Sequence, residues 1–418
     1  MDSKNQSNLD NSIIQITFRR IVKDIPSTNY ATHGIYSHPA RFIPHVVRFA
    51  IKNFSKKGDW VFDPFGGFGT VAIESSLLGR NYVIWDLNPM LEIFVKASTY
   101  TDNLMLEDLS VDWDFTKRFI PDWNNIYYWH PKRFVKRLSR AWGYYHYSIK
   151  KRRPDIAPIV AIPLLKITKY FSYADLQIYK LYKSKKAKKR IAKLLRSKWL
   201  KKMRSMHIRF AQYTFSRIVE YRNMNPQPVE GIIKGGVSAL EENLNFKVDL
   251  LLTSPPYLQA HEYIRSFKLE LFWLGYTQEL IRMLQRKEIP YNHTLDVTIH
   301  SKTYHKYRDK IIKREGKESR LLRVYENYFK SLIIFFQKNI DYVRKYICIF
   351  IGPAKIRNIR IPIEIILKEE LEHLGWTHYK TYVDKIYRRR IFKTRKNPAT
   401  NLPDERIPIE YLLVLKRK

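Results

Sequence analysis

The sequence predicts an α/β fold, a doubly wound and mostly parallel sheet that carries a basic, mainly helical insertion. Three observations predict it. A strand, a glycine turn, a helix and a second strand follow one another between Asp59 and Leu87. Strand-like and helix-like segments alternate again from Gly231 to the end of the chain. Between these regions positive charge accumulates almost without acids.

The first unit opens with DWVFDPF, a short apolar strand from Asp59, followed by the helical stretch TVAIESSLLG and the strand NYVIWDL. That order is a β-turn-α-β unit. Beyond the basic region, GIIKGG, KVDLLLTSPPY, YICIFIGP, THYKTYVDKIYRRR and IPIEYLLVLKRK read as strands. IPIEIILKEELEHLGW, between the third and fourth of these, reads as a helix stopped at Gly375. The last two β-rich segments are expected to pair antiparallel and close the sheet.

The 418 residues carry a formal net charge of +37, from 76 Lys and Arg against 39 Asp and Glu, with 45% hydrophobic residues to build a core. From Pro131 to Arg222 there are 27 Lys and Arg and three acids (Asp155, Asp175 and Glu220), a net +24. Such an excess calls for a polyanionic partner. A membrane is disfavoured as that partner, because no uninterrupted apolar run approaches the roughly 20 residues a spanning helix needs. The opening MDSKNQSNLDNS lacks the pattern of a secretory signal. A lone cysteine, Cys348, makes neither an intrachain disulfide nor a multi-cysteine metal site. The expectation is a cytoplasmic, nucleic-acid-bound protein without a metal. His33, His38 and His45 match no common zinc spacing and are expected to cap turns or touch phosphate.

KSKKAKKRIAKLLRSKWLKKMR, from Lys183, holds 12 basic residues among 22. Ile191, Leu195, Trp199 and Met203 recur every four positions, as one stripe of a single long helix would. A charge run of ordinary density is a solvated face, but this density points to phosphates. IYRRRIFKTRKNP, from Ile386, is a second basic stretch suited to the same groove.

DPFGGFGT, Asp63 to Thr70, sits where a strand becomes a helix. Gly67 and Gly69 let the backbone approach a ligand closely, and the free N–H groups of the helix start favour an anionic group. Asp86, ending the next strand, is placed to accept hydrogen bonds from a ribose diol. The pair defines an adenosine-type cofactor site. The same residues also satisfy G-x-G-x-x-A through Ala72, with Asp86 19 positions after Gly67, so a nicotinamide cofactor fits locally as well.

The strand VDLLLT breaks at Ser254 into two prolines and an aromatic, Pro255, Pro256 and Tyr257. Prolines cannot donate to a sheet ladder, so a stiff corner must project there. An exocyclic base amine is a poor nucleophile because its lone pair is conjugated into the ring. Acceptors fixed on both N–H bonds turn that lone pair out of the plane. The Ser254 side chain and the Pro255 carbonyl are such acceptors, and Tyr257 offers a face for a base removed from its helix. Ring-carbon methylation needs a thiolate instead. Cys348 lies in an apolar strand and reads as inert packing.

DPFGGFGT and TSPPY resemble the cofactor and catalytic motifs of S-adenosylmethionine-dependent DNA methyltransferases that modify exocyclic amines, most closely the cytosine-N4 branch. HGIYSHPARFIP from His33, EYIRSFKLELFWLG after the corner, and RRRIFKTRKNP with IPIEYLLVLKRK are also similar to that family. The resemblance implies a Rossmann-like methyltransferase fold, with residues 28–100 and 228–418 catalytic and 101–227 the DNA-binding lobe. It implies S-adenosyl-L-methionine as cofactor, double-stranded DNA as substrate and a restriction-modification role beside a companion restriction endonuclease. Carried over, Gly67 and Gly69 pass the methionine moiety, Asp63 helps fix it, Asp86 holds the ribose and Phe42 covers part of the cofactor. Phe65, Thr70 and Asn88 complete the cofactor candidates, and Ser254, Pro255, Pro256 and Tyr257 hold the target base. IIKGGVSAL places Gly235 and Gly236 where relatives often have an acid for the adenine amine, which moves that role to Ser238 or a backbone group. The nearest alternatives are adenine-N6 and RNA amino-methylation; a non-catalytic nucleic-acid binder explains the charge alone.

Overall fold

The computed structural model describes residues 12–36, 41–178, 180–258, 262–292, 296–385 and 409–418. Its main sheet has eight strands. In chain order these are β1 (Ile13–Ile16), β2 (Trp60–Asp63), β3 (Asn81–Asp86), β4 (Gly231–Gly235), β5 (Val248–Thr253) and β6 (Val343–Ile351). A separate hairpin, β7 (Ala354–Ile356) and β8 (Ile359–Ile361), precedes β9 (Trp376–Lys385) and β10 (Ile409–Arg417).

Across the sheet the order is β4-β3-β2-β5-β6-β10-β9-β1. Every neighbouring pair is parallel except those of β10, which runs antiparallel to both β6 and β9. The expected doubly wound sheet is therefore present, and its antiparallel closure lies where the sequence placed it. The chain winds outward from β2 to β4, then returns to β5 on the other side of β2. The β2/β5 pair is thus the switch point, and a crevice opens beyond its carboxyl ends.

Both faces are covered, which explains why the strands read as continuous apolar runs. On β5, Leu250 and Leu252 face one layer and Val248 and Leu251 the other. Cys348 and Phe350 of β6 join the first face, Ile347 and Ile349 the second. The first face is packed by α1 (Pro44–Phe54), α2 (Thr70–Leu78) and α3 (Met90–Ser98).

Between β3 and β4 lie four longer helices: α4 (Lys132–Tyr144), α5 (Ala157–Tyr170), α6 (Lys185–Leu195) and α7 (Trp199–Asn223). Their core, with Phe134, Trp142, Ile162 and Met203, is continuous with Met90 and Phe94 of α3 and with Phe267 and Phe272 beyond β5. The basic lobe is thereby fastened to the elements that flank the crevice. The second sheet face carries α9 (Lys302–Glu315), α10 (Arg320–Asn339) and α11 (Ile363–His373), while α8 (Gln278–Arg286) joins the lobe core.

One expectation is corrected. The stripe from Ile191 to Met203 does not belong to one helix, because α6 ends at Leu195 and α7 begins at Trp199. The Ser197 N–H turns back to the Leu194 carbonyl at 3.0 Å, and the Trp199 ring lies 5.2 Å from that of Phe134. Packing the indole there outweighs continuing the helix. Lys185, Lys186, Lys188, Lys189 and Lys193 remain exposed. The stretch from Ile386 lies outside the described residues. Among the described residues no helix is long and apolar enough to cross a membrane.

Candidate cofactor and substrate site

At the switch point the tips of β2 and β5 are joined side chain to side chain. Thr253 Oγ1 donates to Asp63 Oδ1 at 2.7 Å, and the same oxygen accepts the Phe65 N–H at 3.1 Å. Asp63 is 2% exposed. Burial pushes its carboxyl up to about 7, against these two hydrogen bonds, with the Asp86 charge adding to the rise.

The glycine turn is tied to β3 as well. The Gly66 N–H meets the Trp85 carbonyl at 2.8 Å, and Asp86 Oδ2 accepts the Gly67 N–H at 2.8 Å. Gly67 has φ 53° and Gly69 φ 74°, backbone that a side chain disfavours. Asp86 Oδ1 accepts the Asn88 N–H at 2.7 Å, and Asn88 Oδ1 in turn accepts the Met90 N–H at 3.1 Å, opening α3. Burial raises the Asp86 carboxyl to about 6. Neither Asp63 nor Asp86 is paired with a cation among the described residues.

One pocket collects many of the expected residues. Phe65, Gly67, Asp86, Asn88, Ser254 and Pro256 line it together. Ser238, Tyr263, Phe267 and Glu288 line it too. Ser238 follows β4 and Phe267 falls in the stretch after the corner that the sequence singled out. Tyr263 lies in that stretch without a distinguishing signal, and Glu288 had none, since its partners come from elements over 20 residues away. Burial raises the Glu288 carboxyl to about 7, opposed by the Ile264 N–H, which it accepts at 2.8 Å.

The remaining expected residues lie around this pocket. Pro255 is buried and Tyr257 half-buried, the latter close enough to Tyr263 and Tyr328 to act on both hydroxyls. Phe42 stacks on Phe350 at the end of β6, ring centroids 5.6 Å apart and 13° from parallel. Thr70 lines a smaller cleft with His33, Tyr36, Arg41 and Phe68, and Phe68 belongs to both.

The histidine expectation is corrected. His33 neither caps a turn nor faces phosphate: it is 3% exposed, and its Nε2–H donates to Glu74 Oε1 of α2 at 2.8 Å. Arg48 Nε of α1 donates to Glu74 Oε2 at 2.7 Å, and the Tyr30 hydroxyl also donates to Glu74. Burial works against the Glu74 carboxylate, but His33, Arg48 and Tyr30 hold it below the usual range. The segment from Tyr30 to Tyr36 is thereby locked onto the helix that leaves the glycine turn. His45 is 4% exposed within α1, and His38 lies outside the described residues. Among the described residues, no group of three or more His, Cys, Asp and Glu is placed to hold a metal ion.

The pocket at the switch point of the doubly wound sheet thus has aromatic walls from Phe65, Phe68, Tyr263 and Phe267 and carries Asp86, Glu288 and Lys287. Residues 5–96 match the family model described as a DNA methylase. That span holds the glycine turn and Asp86. The Type II methyltransferase M.BsoBI of Geobacillus stearothermophilus is 22% identical over 319 residues, 65% of this chain and 58% of that one. The Type II methyltransferase M.MjaII of Methanocaldococcus jannaschii is 28% identical over 114 residues, 26% of this chain and 20% of that one. The matches thus span less than two thirds of either relative's length. The rRNA methyltransferase aviRa from Streptomyces viridochromogenes aligns over 96% of both chains at 9% identity, with a TM-score of 0.33, too low to bear on fold or function.

Proposed function

We propose that this chain is a site-specific DNA methyltransferase that places a methyl group on the exocyclic N4 amine of cytosine in duplex DNA. S-adenosyl-L-methionine would be the donor, supplying a methyl group on a positively charged sulfur. The observation that carries this reading is the Thr253 to Asp63 bond, which sets the Ser254 corner beside the glycine turn so that both line one pocket. Asp86, on the pocket wall and unpaired with a cation among the described residues, favours a cationic ligand there.

In this reading Asp86 orients the ribose, the Gly67 to Gly69 backbone passes the amino-acid end, and Phe42 covers part of the cofactor. Residues 28–100 and 228–418 would form the catalytic domain and 101–227 the lobe that grips DNA through its exposed lysines. The target cytosine would leave the helix and stack by Tyr257, with Ser254 Oγ and the Pro255 carbonyl accepting its two amine hydrogens. Pro256 stiffens the corner. After attack the amine proton passes to solvent. A restriction-modification role, beside a companion endonuclease, fits the Type II names of the two relatives.

The test is incubation with labelled donor and mixed-sequence duplex DNA, followed by nucleoside analysis. Label in N4-methylcytosine supports the proposal. Label in 6-methyladenine, in 5-methylcytosine or only in RNA sinks the cytosine-N4 claim, and no transfer at all sinks the enzyme.

A further inference from the structure

Among the pocket's buried groups, Glu288 is without a role in the reading above. It is 5% exposed, lies beyond α8, and lines the same wall as Asp86, Ser238 and Phe267. The backbone N–H groups of Ile264, at 2.8 Å, and Tyr263 hold its carboxylate in one orientation and leave further lone pairs on its two oxygens. Its neighbour Lys287 does not neutralise it, because that ammonium is turned to Glu241 Oε2 at 2.6 Å. Asp86 is close enough to push the Glu288 carboxyl up further, so Glu288 stands on the Asp86 side of the pocket.

The other candidates on that side are poorly suited to accept from an amine. Asp86 receives the Gly67 and Asn88 N–H groups, one on each oxygen, and in the reading above its remaining lone pairs go to the ribose. β4 ends and its turn begins on two glycines. Gly236 has φ 79° and gives its N–H to the Asp86 carbonyl at 2.9 Å, and a Cβ on Gly235 would meet Pro89 Cα and O at 3.0 Å. Ser238 Oγ is turned to the Leu240 N–H at 3.3 Å. A purine amine buried here without an acceptor would lose its bonds to water uncompensated.

We propose that Glu288 accepts a hydrogen bond from the exocyclic amine of the cofactor's adenine ring, an inference that rests on the cofactor reading above. Binding of S-adenosylhomocysteine and of its 6-deamino analogue to the full chain tests it by calorimetry. The unaltered protein should bind the deamino compound about tenfold or more weaker. Glu288→Gln keeps one oxygen for the Ile264 and Tyr263 N–H groups, and its NH2 donates rather than accepts, so it should bind the two compounds alike. Equal affinities in the unaltered protein overturn the inference, as does discrimination that survives in Glu288→Gln, or a variant that loses turnover with both affinities intact. The comparison in the unaltered protein decides the matter even if the variant does not fold. Failure of the unaltered protein to bind S-adenosylhomocysteine at all would bring down the cofactor reading itself.

Discussion

Thr253 Oγ1 and Asp63 Oδ1 meet at 2.7 Å across the point where the sheet reverses its winding, so the last residue of β5 is pinned to the last residue of β2. The same aspartate oxygen holds the first turn of the glycine loop through Phe65. Asp63 is therefore a brace between the two motifs, and both of its bonds survive if the carboxylate is replaced by an amide.

That geometry fixes a pH dependence. The folded carboxyl of Asp63, raised to about 7 by burial, favours the protonated form. Its stabilising contribution is complete below the ordinary carboxylate range and is lost as pH rises through 7. Asp63→Asn should therefore stabilise the ligand-free protein at pH 8, on the order of 2–4 kcal/mol, and do little at pH 4. Thermal melts of both proteins across that range check it; a gap independent of pH would remove burial as the cause.

In the proposed reading, the corner serves chemistry rather than DNA binding. Pro256→Ala relaxes the backbone that aims Ser254 and Pro255, and Ser254→Ala removes one acceptor. Each should lower methyl transfer by on the order of 10²-fold. Affinity for duplex DNA should be unchanged in a mobility-shift titration. Loss of binding in parallel with activity would argue that the corner is merely structural.

The exposed lysines of α6 make a different prediction. Replacing Lys185, Lys186, Lys188 and Lys189 together by Gln should weaken DNA binding regardless of sequence. The slope of log affinity against log salt should fall by about 0.9 for each phosphate that is no longer neutralised. Cofactor-analogue binding should stay as it was. An unchanged slope would place the DNA elsewhere.

Glu74 anchors Tyr30, His33 and Arg48 from inside the first helical layer. Glu74→Ala would leave the buried Arg48 guanidinium with only the half-exposed Asp24 as a charged partner. Denaturant titration should register a loss of about 3–5 kcal/mol. A loss below about 1 kcal/mol would mean the cluster relaxes onto water.

Cys348 supplies a negative control. It is fully buried on β6, and burial pushes its thiol well above the ordinary range, so no thiolate forms. Cys348→Ala should keep methyl transfer within about twofold and cost roughly 1 kcal/mol of stability. Abolished transfer in a folded variant would point to thiolate chemistry.

What the sequence made legible was whatever is local. VDLLLT is β5 because a mostly apolar run, broken only by Asp249, meets a proline wall, and Gly67 and Asp86 announce themselves by spacing along one β-turn-α-β unit. Glu288 and Glu74 were silent. Glu288 lies in a polar stretch that looks the same facing solvent or a pocket, Glu74 stands alone in the apolar run TVAIESSLL, and only tertiary packing brings Ile264 or Arg48 to them. The break between α6 and α7 was hidden for the opposite reason: a three-residue gap left the four-residue spacing of Ile191 to Met203 intact while changing what each side chain packs on. Phe42 illustrates a third case, since its stacking on Phe350 depends on a strand some 300 positions away.

The short strand β1 lies at the end of the sheet, parallel to β9 through Ile13 to Ile16. Only four residues long and half-exposed at Ile13, it offers little ladder of its own for another chain to extend. Beneath it the ten-residue β9 would otherwise present a long open row of amides and carbonyls beside Tyr382 and Val383. That small cover guards the open edge of a strongly basic molecule against strand-to-strand pairing with a second copy.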